Sequence, residues 1–73
     1  MSNKSEFIEG LNTGREIEFH YNGIPYFMGY KGKPYICNDM TKQVQYFDDI
    51  EDAKLDNMYL KDIWDEIVID YIL

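Results

Sequence analysis

Residues 15 to 37, REIEFHYNGIPYFMGYKGKPYIC, alternate apolar and polar positions with a period of two, which sends successive side chains to opposite faces of a β-strand. Ile17, Phe19 and Tyr21 alternate with Glu16, Glu18 and His20, and Ile24, Tyr26, Met28 and Tyr30 alternate with Pro25, Phe27 and Gly29. Between the two runs stands Asn22-Gly23, which suits a type I′ hairpin turn because both of its central residues need positive φ. That turn sets Tyr21 opposite Ile24, Phe19 opposite Tyr26 and Ile17 opposite Met28, and a one-residue slip would undo every match. In the same way, a two-residue turn at Lys31-Gly32 sets Tyr30 opposite Lys33, Met28 opposite Tyr35 and Tyr26 opposite Cys37. A third at Asp39-Met40 sets Tyr35 opposite Val44 and Lys33 opposite Tyr46. The product is a four-stranded antiparallel meander. Its expected core face carries Ile17, Phe19, Tyr21, Ile24, Tyr26, Met28, Tyr35, Cys37, Val44 and Tyr46.

The flanks follow a different period. NKSEFIEGLNTG reads as a short helix, with Asn3 and Glu6 spaced as a capping box, Phe7, Ile8 and Leu11 on one face, and Gly14 at its end. Gly10 opposes it, since a glycine inside a helix costs about 1 kcal/mol against alanine. DDIEDAKL reads as a short helical turn with acids at its amino end, where the helix dipole favours them. Leu60, Ile63, Trp64 and Ile67 then recur at i, i+3, i+4 and i+7, a helical stripe. The last residues, IVIDYIL, carry two readings. The β-branched run Ile67-Val68-Ile69 favours a strand, and Tyr71 extends the helical stripe. The preferred division is a short helix to about Glu66 and then an edge strand beside residues 15–21. The expected fold is α+β in two layers: a short N-terminal helix, the meander, short acidic helices packed on one face, and a C-terminal edge strand.

The stretches GREIEFHYNGIPYF and LKDIWDEIVIDYIL, a little over a third of the chain, resemble those of small uncharacterised proteins of low-GC Gram-positive bacteria and their phages. The resemblance implies a bacterial or phage origin and brings no activity with it.

Length changes the picture of stability. Seventy-three residues make one domain, residues 1–73, and a chain of this size buries only about 60% of the surface its unfolded form exposes. The single cysteine, Cys37, excludes an internal disulfide and fits a reducing compartment. One His and one Cys argue against a structural zinc. Reinforcement is left to the seven Tyr, four Phe and one Trp. MSNKSEFIEG has no apolar core of a signal peptide, and no apolar run approaches the roughly 20 residues of a membrane span. A cytoplasmic protein without membrane attachment is the expectation.

Charge sharpens the choice of partner. Residues 1–45 balance Lys4, Arg15, Lys31, Lys33 and Lys42 against Glu6, Glu9, Glu16, Glu18 and Asp39. Residues 46–73 set only Lys54 and Lys61 against Asp48, Asp49, Glu51, Asp52, Asp56, Asp62, Asp65, Glu66 and Asp70, so the net charge of −7 resides there. Such a chain is repelled by nucleic acid and anionic membranes.

Candidate chemistry is sparse. His20 beside Glu18 could serve acid–base work, but it lacks a nearby nucleophile and is read as a surface histidine among polar neighbours. Cys37, with Lys42 opposite, could be an activated thiol, and on an apolar face it reads as a small core residue. Gly29 to Gly32, GYKG, has the spacing of a KH loop but joins strands rather than helices. Tyr26, Tyr30 and Tyr35 beside Lys31 and Lys33 could stack bases, yet their parity assigns them to the core. DDIEDAKLD has the acids of a calcium loop without its glycine or spacing. No enzyme, cofactor or metal is expected.

Two surfaces remain. On the outer face of the meander, which also carries His20, Phe27 is expected to face Ile36, with Pro25 and Pro34 nearby. This apolar island is either an interface or a patch covered by the chain itself. The second surface is the acidic end, where Asp62, Asp65 and Glu66 belong to a negative field that can steer a basic partner or serve solubility alone. The expected function is a small acidic protein-interaction module or regulator with a protein partner. The alternative is a self-associating homodimeric domain.

Overall fold

The structure, a computed structural model, describes residues 3–73 and is a small α+β fold. It opens with helix α1 (Asn3–Asn12), followed by β1 (Ile17–Tyr21), β2 (Ile24–Tyr30), β3 (Pro34–Asn38) and β4 (Val44–Tyr46). A small hairpin of β5 (Lys54–Leu55) and β6 (Met58–Tyr59) comes next, and β7 (Val68–Ile72) closes the chain. The main sheet is antiparallel, in the order β4-β3-β2-β1-β7.

Helix α1 ends where glycine permits. Gly14, at φ 73°, turns the chain so that its N–H donates to Leu11 O (3.1 Å) while Arg15 N–H reaches back to Gly10 O (2.8 Å), a Schellman closure. The capping box expected at Asn3 does not form as such. The Asn3 amide instead donates to the carbonyls of Trp64 (2.7 Å) and Ile67 (2.6 Å), tethering the helix to the far end of the chain. Gly10 is explained by proximity: a Cβ there would stand 2.9 Å from Ile17 Cδ1, so the glycine lets α1 settle onto the sheet. Phe7, fully buried, enters the core between Phe19 and Trp64, each ring centroid 5.1 Å away.

The first hairpin forms in the expected register, Tyr21 with Ile24, Phe19 with Tyr26 and Ile17 with Met28. Asn22 and Gly23 adopt φ 54° and 80°, as a type I′ turn requires. The second hairpin differs by one residue. Tyr30 pairs with Pro34, Gly29 with Tyr35, Met28 with Ile36 and Phe27 with Cys37. A two-residue type I′ turn needs positive φ at Lys31, and only Gly32 takes it, at 71°. The loop therefore spans Lys31, Gly32 and Lys33, and strand β3 arrives with its faces exchanged. At the third hairpin Asn38 Oδ1 accepts the N–H groups of Met40 and Thr41, Lys42 takes φ 63°, and Tyr35 pairs with Tyr46 and Cys37 with Val44. This shift is by two residues, so β4 keeps its parity relative to β3. Tyr35, Cys37, Val44 and Tyr46, expected in the core, thus stand on the outer face. Ile36, expected outside, is 4% exposed within the core.

The C-terminal segment supplies the covering layer. Leu60, Ile63, Trp64 and Ile67 are all buried, as their spacing implies, but no α-helix carries them. Two 3₁₀ turns do, Leu60–Asp62 and Trp64–Glu66, closed by Ile63 N–H to Leu60 O (3.0 Å) and Glu66 N–H to Ile63 O (2.9 Å). A spacing of three suits the 3₁₀ period, and Asp and β-branched Ile are weak α-helix formers. DDIEDAKL likewise forms a 3₁₀ turn at Ile50–Asp52 followed by strand β5. The edge strand expected at the end is β7, paired with β1. No helix among the described residues is long and apolar enough to cross a membrane.

The exchanged faces of β3 make a measurable contrast. Ile36→Ala is expected to cost about 2–4 kcal/mol in urea unfolding, as for a buried aliphatic side chain. Val44→Ala, at a position 46% exposed, is expected to stay within about 1 kcal/mol. The reverse order would restore the two-residue turn.

Candidate functional site

Antiparallel pairing places side chains in rows across the sheet, and the strand registers define those of the outer face. The central row runs Val44, Cys37, Phe27, Glu18, Tyr71 across all five strands. One neighbouring row contains Tyr46, Tyr35 and Gly29. The other contains Pro25, His20 and Val68. At a strand spacing of about 4.8 Å the central row is about 19 Å wide. The core cluster of α1, the 3₁₀ turns and the β5–β6 hairpin lies against the opposite face.

The β3–β4 half of this face is aromatic. Tyr35 lies across Gly29, where an added Cβ would meet its hydroxyl oxygen at 2.7 Å. A ring that occupies the space above a strand glycine restores packing that the glycine lacks. Phe27 meets Tyr35 edge-on at 6.2 Å, and Tyr46 flanks it at 5.6 Å. Tyr35 and Cys37 are consequently buried although no other layer covers them, while Tyr46 and Val44 remain 55% and 46% exposed. Cys37, sheltered between Phe27 and Val44, donates weakly to Asn38 O (3.7 Å).

The β1–β7 half is acidic. A β-bulge interrupts this pairing: Glu18 faces Tyr71 and Phe19 faces Ile69, which leaves Asp70 as the extra residue. The bulge brings Asp70 to His20, whose Nδ1 lies 2.9 Å from both carboxylate oxygens. Glu16 and Glu18 are exposed and form no ion pair among the described residues. None of the five strands of this sheet contains a lysine or arginine.

The residues singled out in the sequence fall in three places. Phe27 and His20 do share the outer face. Ile36 does not: the Phe27–Ile36 island is replaced by Phe27 with Tyr35, Tyr46 and Val44, because β3 is turned over. Asp62, Asp65 and Glu66 are exposed on the 3₁₀ turns of the covering layer, apart from the sheet face. The two cations of that region, Lys54 and Lys61, sit 4.7 and 5.0 Å from the centre of the Tyr59 ring. A shallow groove of about 390 Å³ beside α1 is lined by Ile8, Leu11, Tyr30, Asp48 and Asp49 among others, and Lys33 already answers Asp48 at 3.0 Å. Among the described residues no group of three or more His, Cys, Asp or Glu is placed to hold a metal ion.

The His20–Asp70 pair had no signal in the sequence, since it joins residues 50 apart through a bulge. The aromatic half did have one, in the reluctance of Lys31 to enter a positive-φ turn position. No protein-family model, curated protein or solved structure matches the chain.

Burial raises the Tyr35 phenol above the ordinary 10.0, aided by the nearby Glu16, Tyr46 and Cys37. Tyr26 is raised by burial, then by Asp56 and Tyr21. The folded state therefore holds these protons more tightly than the unfolded chain does. The stability they contribute is complete below pH 10 and falls as pH rises through that value toward the folded values. Urea midpoints are expected to be level up to about pH 9 and to drop above about pH 10. Tyr35→Phe should show a shallower drop, and an unchanged one would separate Tyr35 from the alkaline loss.

Proposed function

We propose that the protein is a small acidic, non-catalytic interaction module or regulator that binds a protein partner through the outer face of its sheet. The observation that carries this reading is the cluster of aromatic and aliphatic side chains at the β2–β4 side of a sheet face that no other element among the described residues covers. Exposed Tyr46 and Val44, at 55% and 46%, flank Tyr35 and Cys37 beside half-buried Phe27, and contiguous apolar surface rimmed by polar groups, here Glu18 and His20, is characteristic of protein interfaces. A net charge of −7 disfavours nucleic acid as the direct partner. His20, oriented by Asp70, stands on an open strand face rather than in the concave, water-excluding site that catalysis favours. Asp62, Asp65 and Glu66 act in this reading as a field that attracts a basic partner from a distance.

The self-associating alternative rests on a different observation, the open edge of β7, a five-residue strand whose outer side faces no neighbour in the sheet.

The two readings separate in one experiment. The native chain serves as bait in a lysate of its source cells at low and high salt, with its own mass followed by sedimentation. Capture of one partner, lost with Tyr46→Glu and kept by a chain with Asp62→Lys and Asp65→Lys, is the expected result. Capture lost only with the lysine variants would move the site to the covering layer. A dimer with no other partner would establish the alternative.

A further inference from the structure

We infer that the occupant of the outer face is a basic amphipathic helix of the partner protein, an inference that rests on the interaction reading above. The geometry selects a helix. Aromatic Tyr46 stands on β4 and carboxylate Glu18 on β1, three strand spacings apart, about 14 Å. One α-helix with its side chains is about 10–12 Å across. Laid along the strands over Phe27 and Cys37, it would have Tyr46 and Val44 against one flank and Glu16 and Glu18 against the other. An added strand is the poorer occupant. The β4 edge is three residues long, and the β7 edge is bent by its bulge and carries Asp70, both features that oppose strand pairing.

Charge selects the sequence of that helix. The sheet holds no lysine or arginine, and Glu16 and Glu18 form no ion pair among the described residues. The occupant is complementary when the side over Phe27 is apolar and the flank over β1 carries Lys or Arg. A second copy of the chain brings the opposite: another −7 and another sheet without lysine or arginine. Burying Glu18 with no counter-charge would carry a desolvation cost that a basic helix removes.

The test uses the full chain and three peptides of about 15 residues, which as helices span about 22 Å. The first has leucine at i, i+3, i+4 and i+7 with lysine elsewhere. The second has glutamate in place of lysine, and the third is the first with its order shuffled to remove the period. Binding is followed by fluorescence anisotropy, its location by amide chemical shifts, and peptide helicity by circular dichroism. The basic periodic peptide is expected to gain helix and to shift the amides of β1, β2, β3 and β4. Glu16→Lys with Glu18→Lys should weaken it about tenfold, since two exposed ion pairs become two like-charge contacts. Asp62→Lys with Asp65→Lys should change it by less than about threefold. Equal binding of the acidic periodic peptide would overturn the basic occupant and leave the interaction face standing. Equal binding of the shuffled peptide would overturn the helix. Shifts confined to the 3₁₀ turns or to the groove beside α1 would overturn both this inference and the docking face. Binding of none of the three would overturn the inference alone, because the lysate capture decides the face independently.

Discussion

A strand repeats every two residues, so the length of the loop before it, odd or even, decides which of its faces meets the core. Lys31, Gly32 and Lys33 form an odd loop, and the rest of the molecule is arranged around that parity. It buries Ile36 beside Met28 and turns Tyr35 and Cys37 outward. Strand β4 follows β3 and brings Val44 and Tyr46 with it. The aromatic half of the outer face therefore follows from a loop in which Gly32 takes a left-handed conformation and Lys31 does not. Where Asn22 accepts φ 54° in the preceding hairpin, the short amide side chain makes that conformation cheap. Lysine has no such local hydrogen bond to lower the cost; Lys42 takes φ 63° in the third hairpin, and Lys31 does not.

The covering layer shows how so small a chain builds a core without a disulfide. Phe7, Phe19 and Trp64 come from three distant parts of the sequence and meet at centroid distances of 5.1 Å. Asn3 fixes the helix to the carbonyls beside Trp64 and Ile67. Leu55, Leu60 and Ala53 complete the layer, each no more than 2% exposed. Among the described residues one helix, three short 3₁₀ turns and the β5–β6 hairpin cover one face of the sheet and leave the other open, as antiparallel sheets permit.

What was legible in the sequence follows from how strongly each feature is encoded locally. Asn22-Gly23 specifies both the turn and its register, so the first hairpin could be read residue by residue. The stripe of Leu60, Ile63, Trp64 and Ile67 announced burial, but a spacing of three or four is shared by α and 3₁₀ turns, and Asp62, Ile63 and Asp65 favour the tighter form. Strand β7 was ambiguous because its bulge places two core-facing residues, Ile69 and Ile72, three apart, which breaks the alternation that identifies a strand. Of the candidate site, Phe27 and His20 were placed on the outer face because β2 and β1 belong to the well-encoded hairpin. Ile36 was misplaced because β3 inherits its facing from a loop whose length Lys31-Gly32 does not specify. Asp70 was invisible because its partner lies across a strand pairing that only the folded chain creates.

The absence of lysine from the five strands has a consequence for handling the protein in acid. Sheet edges commonly stay apart because cations project from them, and at the β7 edge that task falls to a carboxylate, Asp70 in the bulge. As pH falls toward the isoelectric point near 4.4, the repulsion between molecules vanishes while the β-branched and aromatic run Val68–Ile72 keeps its appetite for a neighbouring strand. Solubility at mildly acid pH is therefore limited by the same surface chemistry that leaves the sheet open at neutral pH, and aggregation would begin at that edge.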